Sequence, residues 1–265
     1  MTLSRLLDAR RGPAELVLVR HGESAGNVAD AEAREHGANR LDLSARDADV
    51  ELTENGRRQA GAVGDWLASA DKDARPTVVL CSPYRRAAET AELAVDGVEI
   101  ERILDERLRE RDLGVFDGMT GAGIRADYPD EAERRKKLGK FYYQPPSGES
   151  WADVVLRVRS LLADLREGFD GARVWIFTHQ AVIMSFRYVL EGLTEQELLE
   201  IDADTQIGNA SLTCYRRGED GFELVTFADT TAVGSADADV THEEHHSGRG
   251  AADEASGPNG GSDDG

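Results

Sequence analysis

Cysteine is scarce in this chain. Cys81 and Cys214 are the only two in 265 residues, too few for a disulfide framework. Both fall in strand-like stretches and are expected to be reduced, buried, inert thiols. Long apolar runs are missing as well. The longest, such as residues 15–19 and 77–81, are strand-sized and far short of the roughly 20 residues of a membrane span, so an integral membrane protein is excluded. The first eleven residues carry charge throughout and contain no apolar h-region, so no secretory signal is expected and the expected compartment is cytoplasmic. Lysine is nearly absent: with Lys72, Lys136, Lys137 and Lys140 as the whole set, the basic charge is almost all arginine. Basic charge is in deficit overall, 31 residues against 51 acidic, for a net charge of −20. That argues against a nucleic-acid partner, whose binder needs a basic footprint. An anionic ligand stays open, because a local arginine cluster can reverse the field inside one cleft.

Residues 235–265 differ from the rest. Eight acidic residues face one arginine, six glycines are present, and Val240 is the only bulky apolar side chain. Such a segment cannot offset its own ordering entropy and is expected to be a disordered acidic tail. Its histidines, His242, His245 and His246, could suggest a metal site. A solvated tail is the simpler reading, because the spacing lacks a helical context. The expected domain is therefore 1–234, with 235–265 as the tail.

The folded part alternates strand and helix patterns. Residues 15–20, 77–82, 98–104 and 173–178 read as strands of a mostly parallel sheet. Residues 211–216 and 222–228 alternate and would close the sheet as a hairpin. Helices are expected from Thr53 as N-cap through Leu67, over 83–94, over 150–165 with its one-sided apolar stripe, and over 181–190. Residues 28–51 are polar and read as loop or short helices. The charged segment 119–148 reads as a helical cap or insertion. The expected architecture is three-layer α/β/α.

Parallel sheets bind ligands beyond the carboxyl ends of their strands. Those ends carry Arg20-His21-Gly22-Glu23-Ser24, then Ser82 with Arg85, Arg86 and Thr90, then Glu106 to Gly114, then Thr178-His179-Gln180. No cysteine joins them and the acids are not spaced as a metal cage, so neither zinc nor a two-metal site is expected. Arginine forks match phosphate geometry. A histidine beside them is a competent covalent nucleophile. A glutamate can protonate a leaving oxygen. Together these groups suit metal-free phosphoryl transfer through a phosphohistidine.

The motifs resemble those of the histidine phosphatase superfamily, which includes the cofactor-dependent phosphoglycerate mutases. Leu18-Val-Arg-His-Gly-Glu-Ser-x-x-Asn27 looks like its first motif, and Ser82-x-x-x-Arg86-Ala-x-x-Thr90 like its second. Glu110-Arg-x-x-Gly114 looks like its acid loop and Thr178-His179 like its last motif. Residues 52–60 match a common helix start. An Arg-His-Gly tripeptide alone is weak; the ordered set over residues 15–190 is specific. The resemblance implies His21 as nucleophile and Glu110 as proton donor. It implies Arg20, Arg86 and His179 as phosphoryl-binding groups, with Asn27 adding a contact and Gly22 allowing close backbone approach. No metal and no cofactor is implied. Gly26 stands where mutases carry a tryptophan, and Gln180 where a glycine is usual.

Arg85 competes with Arg86, and Glu106 with Glu110; spacing favours Arg86 and Glu110. Arg109 and Arg111 are either substrate contacts or solvated charges. Residues 134–148, basic and then aromatic, either lie over the cleft and select an organic phosphate or simply pack. Three activities are open: a phosphomonoesterase on a small phosphorylated substrate, a phosphoglycerate-type mutase, and a phosphate-binding scaffold without turnover. The segment 120–148 does not look like a mutase insertion, which favours the phosphatase. The oligomeric state is left open, with a homodimer among the options.

Overall fold

The computed structural model describes residues 11–72 and 75–242. Among these, six strands form one sheet in the order β3-β2-β4-β1-β5-β6. They are β1 Glu15–Arg20, β2 Val78–Cys81, β3 Arg102–Leu104, β4 Arg173–Thr178, β5 Leu212–Arg217 and β6 Phe222–Asp229. β1, β4, β2 and β3 run parallel, and β5 and β6 add the expected antiparallel hairpin.

The strand sequences explain why both faces are covered. Leu16, Leu18, Val78, Leu80, Val174 and Ile176 enter one apolar cluster. Their alternates Val17, Val19, Val79, Cys81, Trp175 and Phe177 enter the other. Continuous apolar strands need a helical layer on each side. α6 (Trp151–Gly168) and α7 (Gln180–Glu191) cover the first face. α2 (Glu54–Ser69) and α3 (Arg85–Ala94) cover the second, joined by α9 (Thr231–Gly234). Cys81 and Cys214 are free, and burial pushes the Cys81 thiol up to about 12.

Several expectations are corrected. α1 runs over Ala25–Glu35, an 11-residue helix where loop or short helices were expected from 28; Ser24 and Asn27 close a capping box that starts it. β3 is confined to Arg102–Leu104; residues 98–101 form no strand, though the Glu101 carbonyl accepts the Val79 amide at 3.3 Å and Val98 and Ile100 pack against the core. The segment between Leu190 and Ser211 holds a helix that the alternation did not reveal, α8 (Glu195–Asp204), begun by the capping box of Thr194 and Glu197. The helical expectation for the charged segment from 119 holds, as α4 (Gly121–Asp127) and α5 (Pro129–Leu138). Phe116, Met119 and Tyr143 make a small core of their own beneath them. The tail expected from residue 235 does not begin there: residues 239–241 hydrogen-bond to Asn55, Gln59 and Asn209. His245, His246 and the rest of 243–265 lie outside the described residues.

Candidate active site

Strand register builds the site. β1 and β4 are adjacent, and Arg20 is the Cα partner of Thr178. The next residue on each strand is a histidine, so His21 and His179 emerge side by side with ring centroids 5.1 Å apart. The His21 amide donates to the Thr178 carbonyl at 2.9 Å. β2 ends beside β4, which delivers Ser82: its Oγ lies 2.8 Å from His179 Nε2. Tyr84 stands edge-on to His179, ring centroids 5.4 Å apart, and the Arg86 guanidinium lies over the same tyrosine, 5.3 Å from the ring centre. Arg20, His21, Arg86 and His179 are all buried.

His21 Nδ1 sits 2.7 Å from the Gly22 carbonyl oxygen. A carbonyl only accepts, so Nδ1 carries the proton and Nε2 keeps its lone pair. Burial first, then Arg86 and Arg20, hold the His21 pKa well below 6.5. His179 is lowered well below 6.5 by burial, Arg86, His21 and Arg20. Two neutral imidazoles therefore stand among buried guanidinium groups, one with a lone pair available.

Each sequence candidate can now be placed. His21, Asn27, Arg86 and Glu110 line one cavity of about 430 Å³, within the usual range for small-ligand sites. Arg20 and His179 are buried and do not line it, His179 standing beside the His21 ring. Arg20 is anchored by donating to the Ile207 carbonyl. Arg86 is buried, whereas Arg85 pairs with Glu51 at the surface, so the structure separates the two competitors. Glu110 Oε1 accepts from the Arg111 amide at 2.7 Å, and Glu106 opens a short 3-10 turn outside the cavity. Asn27 reaches the cavity, but its Oδ1 accepts from Ser24 and Asn209. Gly22 plays a different part from the one expected. Its amide donates to Thr90 Oγ1, and a Cβ there would meet the Gly56 carbonyl oxygen at 2.5 Å. Glycine is needed at 22 so that the loop after β1 can pack against the start of α2. Arg109 pairs with Glu149, whereas Arg111 lines the cavity.

Residues 134–148 do not line the cavity, against the reading that they select substrate. Phe141 joins the main core, Tyr143 the small one, and Lys140 pairs with Asp202. Sequence reasoning missed Tyr84, and above all Asp47. Asp47 lies in the 3-10 turn Asp47–Asp49, and its carboxylate and carbonyl accept from Arg86 Nη1 at 2.8 and 2.6 Å. No local pattern marks Asp47; its role comes only from the turn folding over the strand ends. Asp30, Asp112 and Asp117 share the cavity wall with it. Among the described residues no group of three or more His, Cys, Asp or Glu is arranged to hold a metal ion. None of their helices is long and apolar enough to cross a membrane.

The family model described as histidine phosphatase superfamily (branch 1) matches residues 16–230. The chain belongs to this superfamily. A 6-phosphofructo-2-kinase/fructose-2,6-bisphosphatase of Caenorhabditis elegans is 31% identical over 189 residues, covering 71% of this chain but 36% of its own. The chain thus spans about a third of that bifunctional relative. A 2,3-bisphosphoglycerate-dependent phosphoglycerate mutase of Rhizobium meliloti is 32% identical over 197 residues, covering 72% of this chain and 86% of its own. The structure of a mycobacterial glucosyl-3-phosphoglycerate phosphatase with VO3 superposes with a TM-score of 0.65 at 28% identity, covering 81% of this chain and 98% of that one. Its relatives in the superfamily are thus phosphatases and mutases.

Proposed function

We propose that this histidine phosphatase superfamily member is a metal-independent phosphomonoester hydrolase acting through phospho-His21 on a small organic phosphate. The observation that carries the reading is the His21 tautomer: a neutral imidazole with Nε2 free, set between Arg20, Arg86 and His179. Nε2 attacks phosphorus, and the P–O bond to the leaving group breaks as the N–P bond forms. The guanidinium groups neutralise the equatorial oxygens. Glu110 gives its proton to the leaving oxygen. Water then attacks the phosphohistidine, Glu110 takes the proton back, and inorganic phosphate leaves.

The cavity wall favours hydrolysis over the mutase reaction. A phosphoglycerate carries a carboxylate, and the wall it would meet presents Asp30, Asp47, Asp112, Asp117 and Glu110 against Arg46, Arg86 and Arg111, an excess of acid. Burial, then Asp47, push the Asp117 carboxyl above its ordinary pKa, with Asp112 adding to it. Carboxylates that repel one another already would repel a further one.

The test is one incubation series on purified protein. Nitrophenyl phosphate is supplied first, then 3-phosphoglycerate with and without 2,3-bisphosphoglycerate. Phosphate release with no 2-phosphoglycerate is expected, and EDTA should leave it unchanged. Rapid bisphosphoglycerate-dependent isomerisation would make the chain a mutase. His21→Ala should abolish turnover; retention of a tenth of the wild-type rate would sink the nucleophile assignment.

A further inference from the structure

The last described residues fold back onto the body of the protein beside the nucleophile. The contacts run through two fully buried amides, Gln59 in α2 and Asn209 in the loop before β5. Gln59 Oε1 accepts the Glu23 amide at 2.8 Å. Gln59 Nε2 donates to Thr241 Oγ1 at 2.9 Å and to the Asp239 carbonyl at 2.6 Å. The Thr241 hydroxyl donates to Asn209 Oδ1 at 3.1 Å. Asn209 Nδ2 donates to the His21 carbonyl at 3.2 Å and to Asn27 Oδ1 at 3.3 Å. The Asn209 amide takes the Thr241 carbonyl at 2.9 Å. The directions are consistent at every link: the threonine hydroxyl accepts once and donates once, and each side-chain amide offers both its oxygen and its nitrogen. The circuit leaves the loop at Glu23 and returns to it at His21. Its members from the C-terminal segment are Thr241, whose hydroxyl links the two amides, and Asp239, whose carbonyl accepts from Gln59 and from Asn55.

We propose that residues 239–242 are a strap that positions the nucleophile loop, with Thr241 as its key positioning residue. The strap acts through Gln59 and Asn209 on the Glu23 amide and the His21 carbonyl, and its His242 lies close enough to Arg20 to feel that charge. Gly22 has no side chain to anchor this stretch, so the loop's placement rests on hydrogen bonds to its backbone. A buried amide whose partner is lost reorganises rather than stay unsatisfied. Strap residue His242 packs on Gly208, where a Cβ would lie 3.2 Å from its ring, next to the Ile207 carbonyl that anchors Arg20. A side chain at 208 would first meet Thr230, whose Cγ2 lies 2.7 Å from the Cβ position, and then the His242 ring. Small displacements of a nucleophile from its attack line are costly in rate, so the expected signature lies in kcat rather than in KM.

This inference rests on the phosphohistidine reading for its kinetic arm but not for its structural arm. The experiment uses the full chain and four variants: Thr241→Val, Thr241→Ser, a chain ended after Ala238, and a chain ended after His242. Turnover of nitrophenyl phosphate is read together with backbone hydrogen exchange over residues 21–24. Thr241→Val should lower kcat by about tenfold with KM changed less than about twofold, and should speed exchange at the Glu23 amide. Thr241→Ser, which keeps the hydroxyl, should restore both. The chain ended after Ala238 should match Thr241→Val or fall below it, and the chain ended after His242 should match wild type. Unchanged kcat in Thr241→Val would overturn the proposal, even with faster exchange, by reducing the strap to a structural tie. Equal damage from the two truncations would overturn it by moving the effect to residues 243–265. A wild type that turns over no phosphate ester, with exchange at Glu23 still dependent on the Thr241 hydroxyl, would refute the phosphatase reading and leave the strap in place.

Discussion

Asp47 holds the arginine that a phosphoryl group needs. Its carboxylate lies 2.8 Å from Arg86 Nη1, in a pair whose arginine side chain is 7% exposed and whose aspartate is 39% exposed. A phosphoryl oxygen bound on the other side of that guanidinium would lie about 6 Å from the carboxylate, two hydrogen-bond lengths away. Two unit charges at about 6 Å repel by about 3 kcal/mol at an effective dielectric of about 20. Solvent reaches Asp47, and screening removes about half of that. About 1.4 kcal/mol is left, a factor of about ten in affinity. Asp47→Asn keeps an oxygen that can accept from Arg86 and deletes the charge. The assay is competitive inhibition of nitrophenyl phosphate hydrolysis by inorganic phosphate and by vanadate at fixed pH. Both inhibition constants should fall about tenfold, and the gain should shrink as salt is raised. Asp49→Asn is the control, because Asp49 pairs with Arg46 at the exposed surface. Unchanged or weaker phosphate binding in Asp47→Asn would refute the reasoning. It would mean that Asp47 holds Arg86 in its binding pose instead of competing for it.

Three further outcomes are expected. Glu110→Gln should slow turnover by about 10²–10⁴-fold on alkyl phosphates and much less on nitrophenyl phosphate, which leaves without a proton; equal losses on both would remove Glu110 as the acid. The pH dependence follows from His21 and His179, whose folded pKa values lie well below 6.5. Their neutral forms are the folded forms, so the stability they confer is complete above 6.5 and drains away as pH falls from there toward the lowered values. The acid limb of kcat/KM should likewise lie below 6.5 and move up toward it in Arg86→Leu; a limb that moves down would contradict the charge argument. Gly22→Ala should cost about 2–4 kcal/mol in urea unfolding, because its Cβ would stand 2.5 Å from a backbone oxygen; a loss under about 0.5 kcal/mol would show that α2 can shift.

The alternation of the strands and the four motifs were legible in the sequence because each is a local or ordered pattern. Residues 15–20 and 173–178 are apolar on both faces, which demands helices on both sides, and parallel strands then put their carboxyl ends together. From that alone His21, His179, Arg20, Arg86 and Glu110 could be sent to one edge. Register and burial were not legible. Only the pairing of Arg20 with Thr178 makes the two histidines neighbours, and only burial beside two arginines makes them neutral. The basic and aromatic stretch 134–148 allowed either substrate contact or packing by composition; in the structure Phe141 and Tyr143 fill cores and none of the stretch lines the cavity. Asp47 and Thr241 carried no signal of this kind, and Gln59 was marked only as part of a helix start over residues 52–60. Each is an ordinary polar residue whose meaning depends on a partner 39, 36 or 32 positions away. Composition and periodicity therefore determined the layers and the chemistry available at the strand ends. Contacts distant in sequence, which no local pattern encodes, decided that the two histidines are neighbours, that Asp47 shares Arg86 and that residues 239–241 tie to Gln59 and Asn209.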